Sequence, residues 1–360
     1  MKICYLSDIN SAHTKKWCKY FVDNGHDVYV ISLRKGEYPG AKVYSLEVDD
    51  SITNKESGSG KFEYLKKIKK IKKIVHEIKP DLLHAHYASS YGLFGALCNY
   101  HPYIISLWGS DILLFPKQGI IQRNIIKYNF KKADMIFSTS RYMENEAVKY
   151  TNKPIEITPF GIDFNIFNNK NIRNEDEVVI GIVKALEQVY GIDYLIKAFN
   201  KIINKYPDKN IKLKILGEGT QSGSLRELVD ELEINDNVEF LKPTNLEGVS
   251  DFYNKINIAV FPSISESFGV AVIEAQACGV PVIVSDIPAF NETTIPGKTS
   301  LICRIKDVDT IVDAVEKLVL NKAFYKEMSK NAEIFVKENF DVNEIFKRIN
   351  MIYKDIVKHK

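Results

Sequence analysis

"ESFGVAVIEAQACGVPVIVSD" (Glu266–Asp286) follows directly on "IAVFPSIS". The apolar run "IAVFPS" reads as a strand ending near Ser263, and residues 264–268 read as a loop. A helix then starts near Phe268 or Gly269 and stops before Gly279, a residue suited to the left-handed position after a helix. "PVIVSD" is the next strand. Strand, loop, helix and strand in this order make a βαβ unit of a parallel sheet, and its loop lies at the C-terminal ends of the strands.

The same rhythm runs outward from this stretch in both directions. "KICYLS", "DVYVIS", "LLHAHY", "YIISLW" and "MIFSTS" are short apolar runs separated by helical periodicity. After "KPIEITPFGIDFNIFNNKNIRNEDE" the pattern restarts with "VVIGIV", "KLKILG", "VEFL", "IAVFPS" and "PVIVSD". The polar segment 163–177 reads as a linker. The expectation is two doubly wound, Rossmann-like α/β domains, residues 1–165 and 166–342, facing across a cleft. No G-x-G-x-x-G follows the first strand, where the loop is "SDINSAHTKKW", which weighs against a dinucleotide-dependent enzyme.

Composition agrees and excludes other classes. The chain has 360 residues, 45% hydrophobic and 26% charged, and a net charge of +3. That charge is too small for a dedicated nucleic-acid binder. The cysteines, Cys4, Cys18, Cys98, Cys278 and Cys303, are odd in number and scattered, as in a reduced cytosolic protein. "MKICYLSDIN" is too short an apolar run for a signal peptide. "LLHAHYASSYGLFGALCNY" is interrupted by His84 and His86 and falls short of a membrane span.

Glu266 precedes the helix, and Glu274 lies about one and a half turns inside it. A helix N-terminus favours phosphate, and Gly269 lets a ligand approach the backbone. A carboxylate accepts two hydrogen bonds and so holds a vicinal diol. Two carboxylates around a phosphate-binding helix end therefore suit two polyols joined by phosphates, as in a sugar nucleotide. Taken alone, Glu274 would be a solvated helix residue and Glu266 a favourable N-terminal charge. Apolar neighbours Val272, Ile273 and Ala277 favour the ligand reading for Glu274.

With these residues in place, the chain resembles the retaining glycosyltransferases of family 4, which have the GT-B fold. "ESFGVAVIE" fits the family's E-x7-E pattern. "GHDVYVIS", "DLLHAHY", "WGSD", "ITPFGIDFNIF" and "ILGEG" match further family segments in order. The resemblance implies a nucleoside-diphosphate sugar as donor, a UDP-sugar by preference, with no cofactor and no metal. Glu274 would bind ribose hydroxyls, Glu266 the transferred sugar, and Lys184 the diphosphate. Phe268, Gly269 and Val270 would meet sugar and diphosphate, and Gly217, Glu218 and Gly219 the nucleoside. On the acceptor side it implies His13, His86, Trp108, Gly109 and Asp111, with Glu266, Asp111 and His13 as the catalytic set. Trp108 stands where many relatives have histidine, and Val189 and Tyr190 stand where many have a second basic residue. Family resemblance also implies retention of configuration, a final helix 343–360 crossing back onto the first domain, and a hinge near Pro159–Asn165.

The acceptor implied is a glycan or lipid-linked sugar in surface polysaccharide or glycolipid synthesis, at the cytoplasmic face of the cell membrane. Two alternatives stand beside it: a non-catalytic sugar-nucleotide-binding subunit of a glycan assembly, and a sugar-nucleotide epimerase. The "DVD" of Asp307 and Asp309 reads as helix capping rather than a metal site. The basic helix 61–79 places Leu65, Ile68, Ile71, Ile74, Val75 and Ile78 on one stripe and its lysines off it. It reads either as a crossover helix with a solvated back or as a contact with anionic membrane.

Overall fold

The computed structural model describes residues 1–48, 66–174 and 177–359. The chain forms two compact units, Met1–Phe160 with Asn343–Lys360, and Gly161–Val342.

The first unit comprises β1 (Lys2–Leu6), α1 (Ala12–Asp23), β2 (Asp27–Ser32), β3 (Ala41–Ser45), α2 (Ile68–Ile78), β4 (Leu82–His86), α3 (Ser90–Cys98), β5 (Tyr103–Leu107), α4 (Ser110–Leu113), α5 (Ile120–Lys132), β6 (Met135–Ser138), α6 (Arg141–Ala147) and β7 (Ile155–Ile157). Its strands form one parallel sheet in the order β3-β2-β1-β4-β5-β6-β7. Every residue of β4 and β5 is buried, the mark of a parallel strand covered on both faces.

In the second unit β8 (Val178–Val183), α7 (Ile192–Lys205), β9 (Ile211–Leu216), α8 (Ser222–Glu231), β10 (Val238–Leu241), α9 (Leu246–Lys255), β11 (Ile258–Phe261), α10 (Val270–Ala277), β12 (Val282–Ser285), β13 (Ser300–Cys303), α11 (Val308–Leu320) and α12 (Lys322–Asn339) follow. Its parallel sheet has the order β10-β9-β8-β11-β12-β13. Both sheets reverse direction once, between β1 and β4 and between β8 and β11. At such a switch point the flanking connections depart to opposite faces and leave a crevice at the C-terminal strand ends.

The segment 163–177, read from sequence as a linker, belongs to the second unit over its described part. The amide of Lys170 donates to Asn254 at 2.7 Å, Arg173 Nε to the Ile256 carbonyl at 2.8 Å, and Asn169 to Glu333 at 2.7 Å. The break between the units accordingly lies at Phe160/Gly161, ahead of residue 165.

The last helix, α13 (Val342–Lys358), carries Phe346, Ile349 and Tyr353 as its buried stripe. Within the first unit Phe346 meets Trp17 edge-on at 5.2 Å, and Tyr353 stacks on Phe21 at 5.1 Å. The Tyr353 hydroxyl also pairs with His84 Nδ1, whose Nε2 meets Ser106 Oγ at 2.8 Å. No helix among the described residues is long and apolar enough to cross a membrane.

Burial pushes the His84 imidazole down to about 3, so it enters the fold neutral. The unfolded chain, with its ordinary histidine near 6.5, binds the extra proton first. Stability is therefore full above pH 6.5 and falls as the pH drops towards 3. Urea unfolding should show about 2 kcal/mol less stability at pH 5 than at pH 7.5 from this residue. A His84→Asn variant should lose that share of the pH dependence; an unchanged pH dependence would show that His84 is not its source.

Candidate functional site

In the second unit the loops after β8, β9 and β11 meet at the C-terminal strand ends. Lys184 directly follows β8, and its amide donates to the Leu216 carbonyl at 3.1 Å. Gly217 lies so close that an added Cβ would sit 1.8 Å from the Lys184 carbonyl oxygen. No side chain fits there, so the glycine is what lets the two loops press backbone to backbone. The Leu186 amide bonds the Glu218 carbonyl at 2.9 Å, and Ile264 bonds the Val189 carbonyl at 2.8 Å. The loop bearing Lys184 is thus tied to a neighbour on each side. Gly217 and Gly219 act on that loop in this structure, and the side chain of Glu218 is exposed.

The Lys184 ammonium forms an ion pair with Glu266, both side chains being largely buried, and lies 4.5 Å from the ring centre of Tyr190. Tyr190 is one of the two positions for which the family resemblance implied a second cation. Here its ring face holds the remaining cation by cation–π attraction, which strengthens as water is excluded. The sequence reading noted Tyr190 as a departure and missed this role, although an aromatic six residues beyond a lone lysine was the available signal.

Beyond Glu266 the chain turns into α10. Gly269 precedes the helix at φ 93°, and an added Cβ would lie 2.8 Å from the Phe290 ring. Both the backbone angle and the space require glycine. Gly269, the N-cap residue of α10, brings no capping side chain, and the first turn has no acid. The helix N-terminus therefore keeps its positive end towards this loop. Phe268 is buried and packs against Phe340. Val270 is the first helical residue, and Glu274 is buried farther along the same helix.

The first unit builds a different environment at its own switch point. His86 ends β4, and its Nδ1 meets Ser7 Oγ at 3.1 Å while Ser7 bonds Thr14 at 2.6 Å. Its ring packs on Trp108 at 4.4 Å, and His13 stacks on Phe160 at 3.8 Å. Burial drives His13 down to about 3 and His86 well below its usual range, so both are neutral near pH 7. His86 and Trp108 line a pocket of about 300 Å³ together with Ser7, Asp8, Arg34 and Tyr87. The buried His86 Nε2, Trp108 Nε1 and His13 Nδ1 have no hydrogen-bond partner among the described residues. Buried polar nitrogens normally have partners, and three unmatched ones in one cluster suit a polar ligand.

Asp111 ties together the loops after β4 and β5. It is fully buried, and its carboxylate accepts the backbone N–H groups of Ala88 at 2.6 Å, Gly109 at 2.8 Å and Trp108 at 3.2 Å. Burial raises it to about 6 against the pull of those hydrogen bonds. These bonds fold the loop that presents Trp108. Asp307 accepts from the amides of Asp309 and Thr310 and caps α11, while Asp309 pairs with Lys201 at 2.6 Å. No group of three metal-ligating side chains occurs among the described residues.

The family described as Glycosyl transferase 4-like matches residues 2–140, and that described as Glycosyl transferases group 1 matches residues 163–335. The chain is a group 1 glycosyltransferase. This glycosyltransferase is 23% identical to the N-acetyl-alpha-D-glucosaminyl L-malate synthase of Bacillus anthracis, over 94% of this chain and 92% of that one. It is 25% identical to the capsular polysaccharide biosynthesis glycosyltransferase CapM of Staphylococcus aureus, over 92% and 90%. Among solved structures, Anabaena HepE in complex with UDP and glucose aligns with a TM-score of 0.78 at 16% identity, covering 98% of this chain and 99% of its own. The glycosyltransferase fold is GT-B, two parallel-sheet Rossmann-like domains.

An Asp111→Asn variant keeps the shape but replaces one acceptor oxygen by a donor facing backbone N–H groups. It should lose about 1–3 kcal/mol of stability in urea unfolding. Full stability in that variant would show that the carboxylate does not hold the loop.

Proposed function

We propose that this glycosyltransferase moves a hexosyl or N-acetylhexosaminyl group from a UDP-sugar, with retention of configuration, to a glycan or lipid-linked acceptor of surface polysaccharide or glycolipid synthesis. The observation carrying this reading is the Lys184–Glu266 ion pair just ahead of the N-terminus of α10. It sets a cation, a helix dipole and a carboxylate around one spot. HepE was solved with UDP and glucose, and CapM is named for capsular polysaccharide biosynthesis; both likenesses support the substrate classes.

In this structure Lys184 is partnered by Glu266. A diphosphate offers Lys184 a more highly charged partner, and Glu266 is then released to accept hydrogen bonds from the sugar. Glu274 takes the ribose hydroxyls. Leaving of the nucleoside diphosphate breaks the C1–O bond and builds negative charge on the phosphate. Lys184 and the α10 N–H groups stabilise that charge as preorganised donors. The acceptor oxygen bonds to C1 on the same face, and its proton passes to the departing phosphate oxygen. On this reading the positive charge comes from the protein, and no metal is called for. His13, His86, Trp108 and Gly109 take the acceptor side, the two imidazoles as neutral hydrogen-bonding groups.

Thermal-shift titration with UDP, GDP, ADP and their sugars tests the donor reading. UDP at about a hundred times its dissociation constant should stabilise the protein by about 2.7 kcal/mol. Glu274→Ala should lose most of this response. An equal response to all three nucleotides, or an undiminished one in the variant, counts against the assignment. Tyr190→Leu should weaken UDP binding severalfold, while Tyr190→Phe, which keeps the ring face, should retain it. Equal affinity in all three proteins would remove Tyr190 from the site.

A further inference from the structure

Helix α5 turns Ile126, Asn129 and Phe130 inward, with Asn129 Nδ2 donating to the Ala88 carbonyl at 2.9 Å. The opposite stripe, Ile120, Asn124, Lys127 and Lys131, faces out, with Ile121, Arg123 and Tyr128 beside it. Ile120 is 73% exposed, Ile121 61%, and Leu114, just before the turn that leads into the helix, 59%. Single exposed aliphatics are ordinary. Three within eight positions, around the start of one helix, form a surface that water does not favour.

The charge along this segment of the chain is of one sign. From Ile112 to Ala133 the sequence has five basic residues and no acidic one. Lys117 is engaged by Glu146 at 3.5 Å, and Lys132 by Asn99 at 3.1 Å. Arg123, Lys127 and Lys131 have no ion-pair partner among the described residues. Helix α3 packs between α2 and α5, so the two basic helices lie on one face of the sheet. On α2, Lys69, Lys70, Lys72 and Lys73 are exposed, and among the described residues only Lys73 of these four pairs with an acid, Glu77 at 3.8 Å. The described part of the sequence-predicted basic helix thus has its apolar stripe, Ile71, Ile74, Val75 and Ile78, in the core and its lysines outward. Residues 61–65 of that prediction lie outside the described residues.

We propose that this face docks onto an anionic lipid bilayer, with Leu114, Ile120 and Ile121 entering the interface and the cations of α5 and α2 resting on the headgroups. Charge complementarity commits the surface to this occupant. An apolar tip beside unpaired cations, with an aromatic ring at their level, matches the layers of a membrane surface. A flat, wholly polar ligand would leave the aliphatic side chains in water. This inference does not rest on the donor reading, because partition onto vesicles is measured without nucleotide.

Co-flotation of the full chain tests it, with vesicles of phosphatidylglycerol and phosphatidylcholine in equal amounts and of phosphatidylcholine alone. Wild type should float with the anionic vesicles, lose most of that binding in high salt, and bind neutral vesicles far more weakly. R123Q/K127Q/K131Q should reduce the anionic partition on the order of a hundredfold, about fivefold per cation. I120S/I121S should reduce it by about tenfold or more. All five side chains are exposed, so both variants should keep the wild-type melting temperature and UDP response. Wild type that stays off anionic vesicles, or variants that partition like wild type, would overturn the proposal. So would I120S/I121S lowering the oligomeric mass by light scattering while leaving vesicle binding intact, since the patch would then join copies of the chain.

Discussion

A parallel sheet exposes no face to water without penalty, so helices must cover both sides of it. In each unit this leaves one place where chain ends, free backbone groups and polar side chains gather without breaking the core. That place is the C-terminal edge at the strand-order reversal. Ser7, His86 and Trp108 stand there in the first unit, and Lys184 and Glu266 in the second. The strands β4, β5 and β11 that lead to His86, Trp108 and Glu266 are buried from end to end, and β1 and β8 along most of their length, which fixes where these side chains emerge.

The two edges differ in electrical character. The second unit presents a cation, a carboxylate and a helix N-terminus, with Gly217 pressed on the Lys184 backbone and Gly269 on the Phe290 ring. The first presents neutral imidazoles and an indole N–H, kept uncharged by burial among Tyr5, Trp17 and Phe160. The charged edge suits a partner whose negative charge grows during reaction. The neutral one suits hydroxyl groups that need orientation rather than charge. The Asp111 carboxylate accepts three backbone amides.

Much of this was legible in the sequence. Apolar runs alternating with helical periodicity marked the parallel sheets, and "ESFGVAVIE" marked the loop and helix that carry Glu266 and Glu274. What escaped reading depends on contacts between residues distant in the chain. Segment 163–177 looked like a linker because it is polar and rich in asparagine. The segment instead bonds Asn254, Ile256 and Glu333 through one backbone amide and two side chains, none of which periodicity can reveal. Asp111 stood out because it sits in a family motif, and only the fold shows which backbone amides its oxygens accept. The Gly217 approach to Lys184 likewise joins two loops more than thirty residues apart, although the glycines themselves were visible.

The stripe of Phe346, Ile349 and Tyr353 has a consequence for synthesis. The ribosome delivers residues 1–160 first, but the surface around Trp17, Phe21 and His84 receives its cover only after all of Gly161–Val342 has emerged. The second unit is contiguous and can close as soon as it is made. The first must wait with an aromatic patch bare and His84 lacking its tyrosine. In a nascent chain the unit begun earliest is therefore completed last, and that interval is when the protein is most open to chaperones and to aggregation.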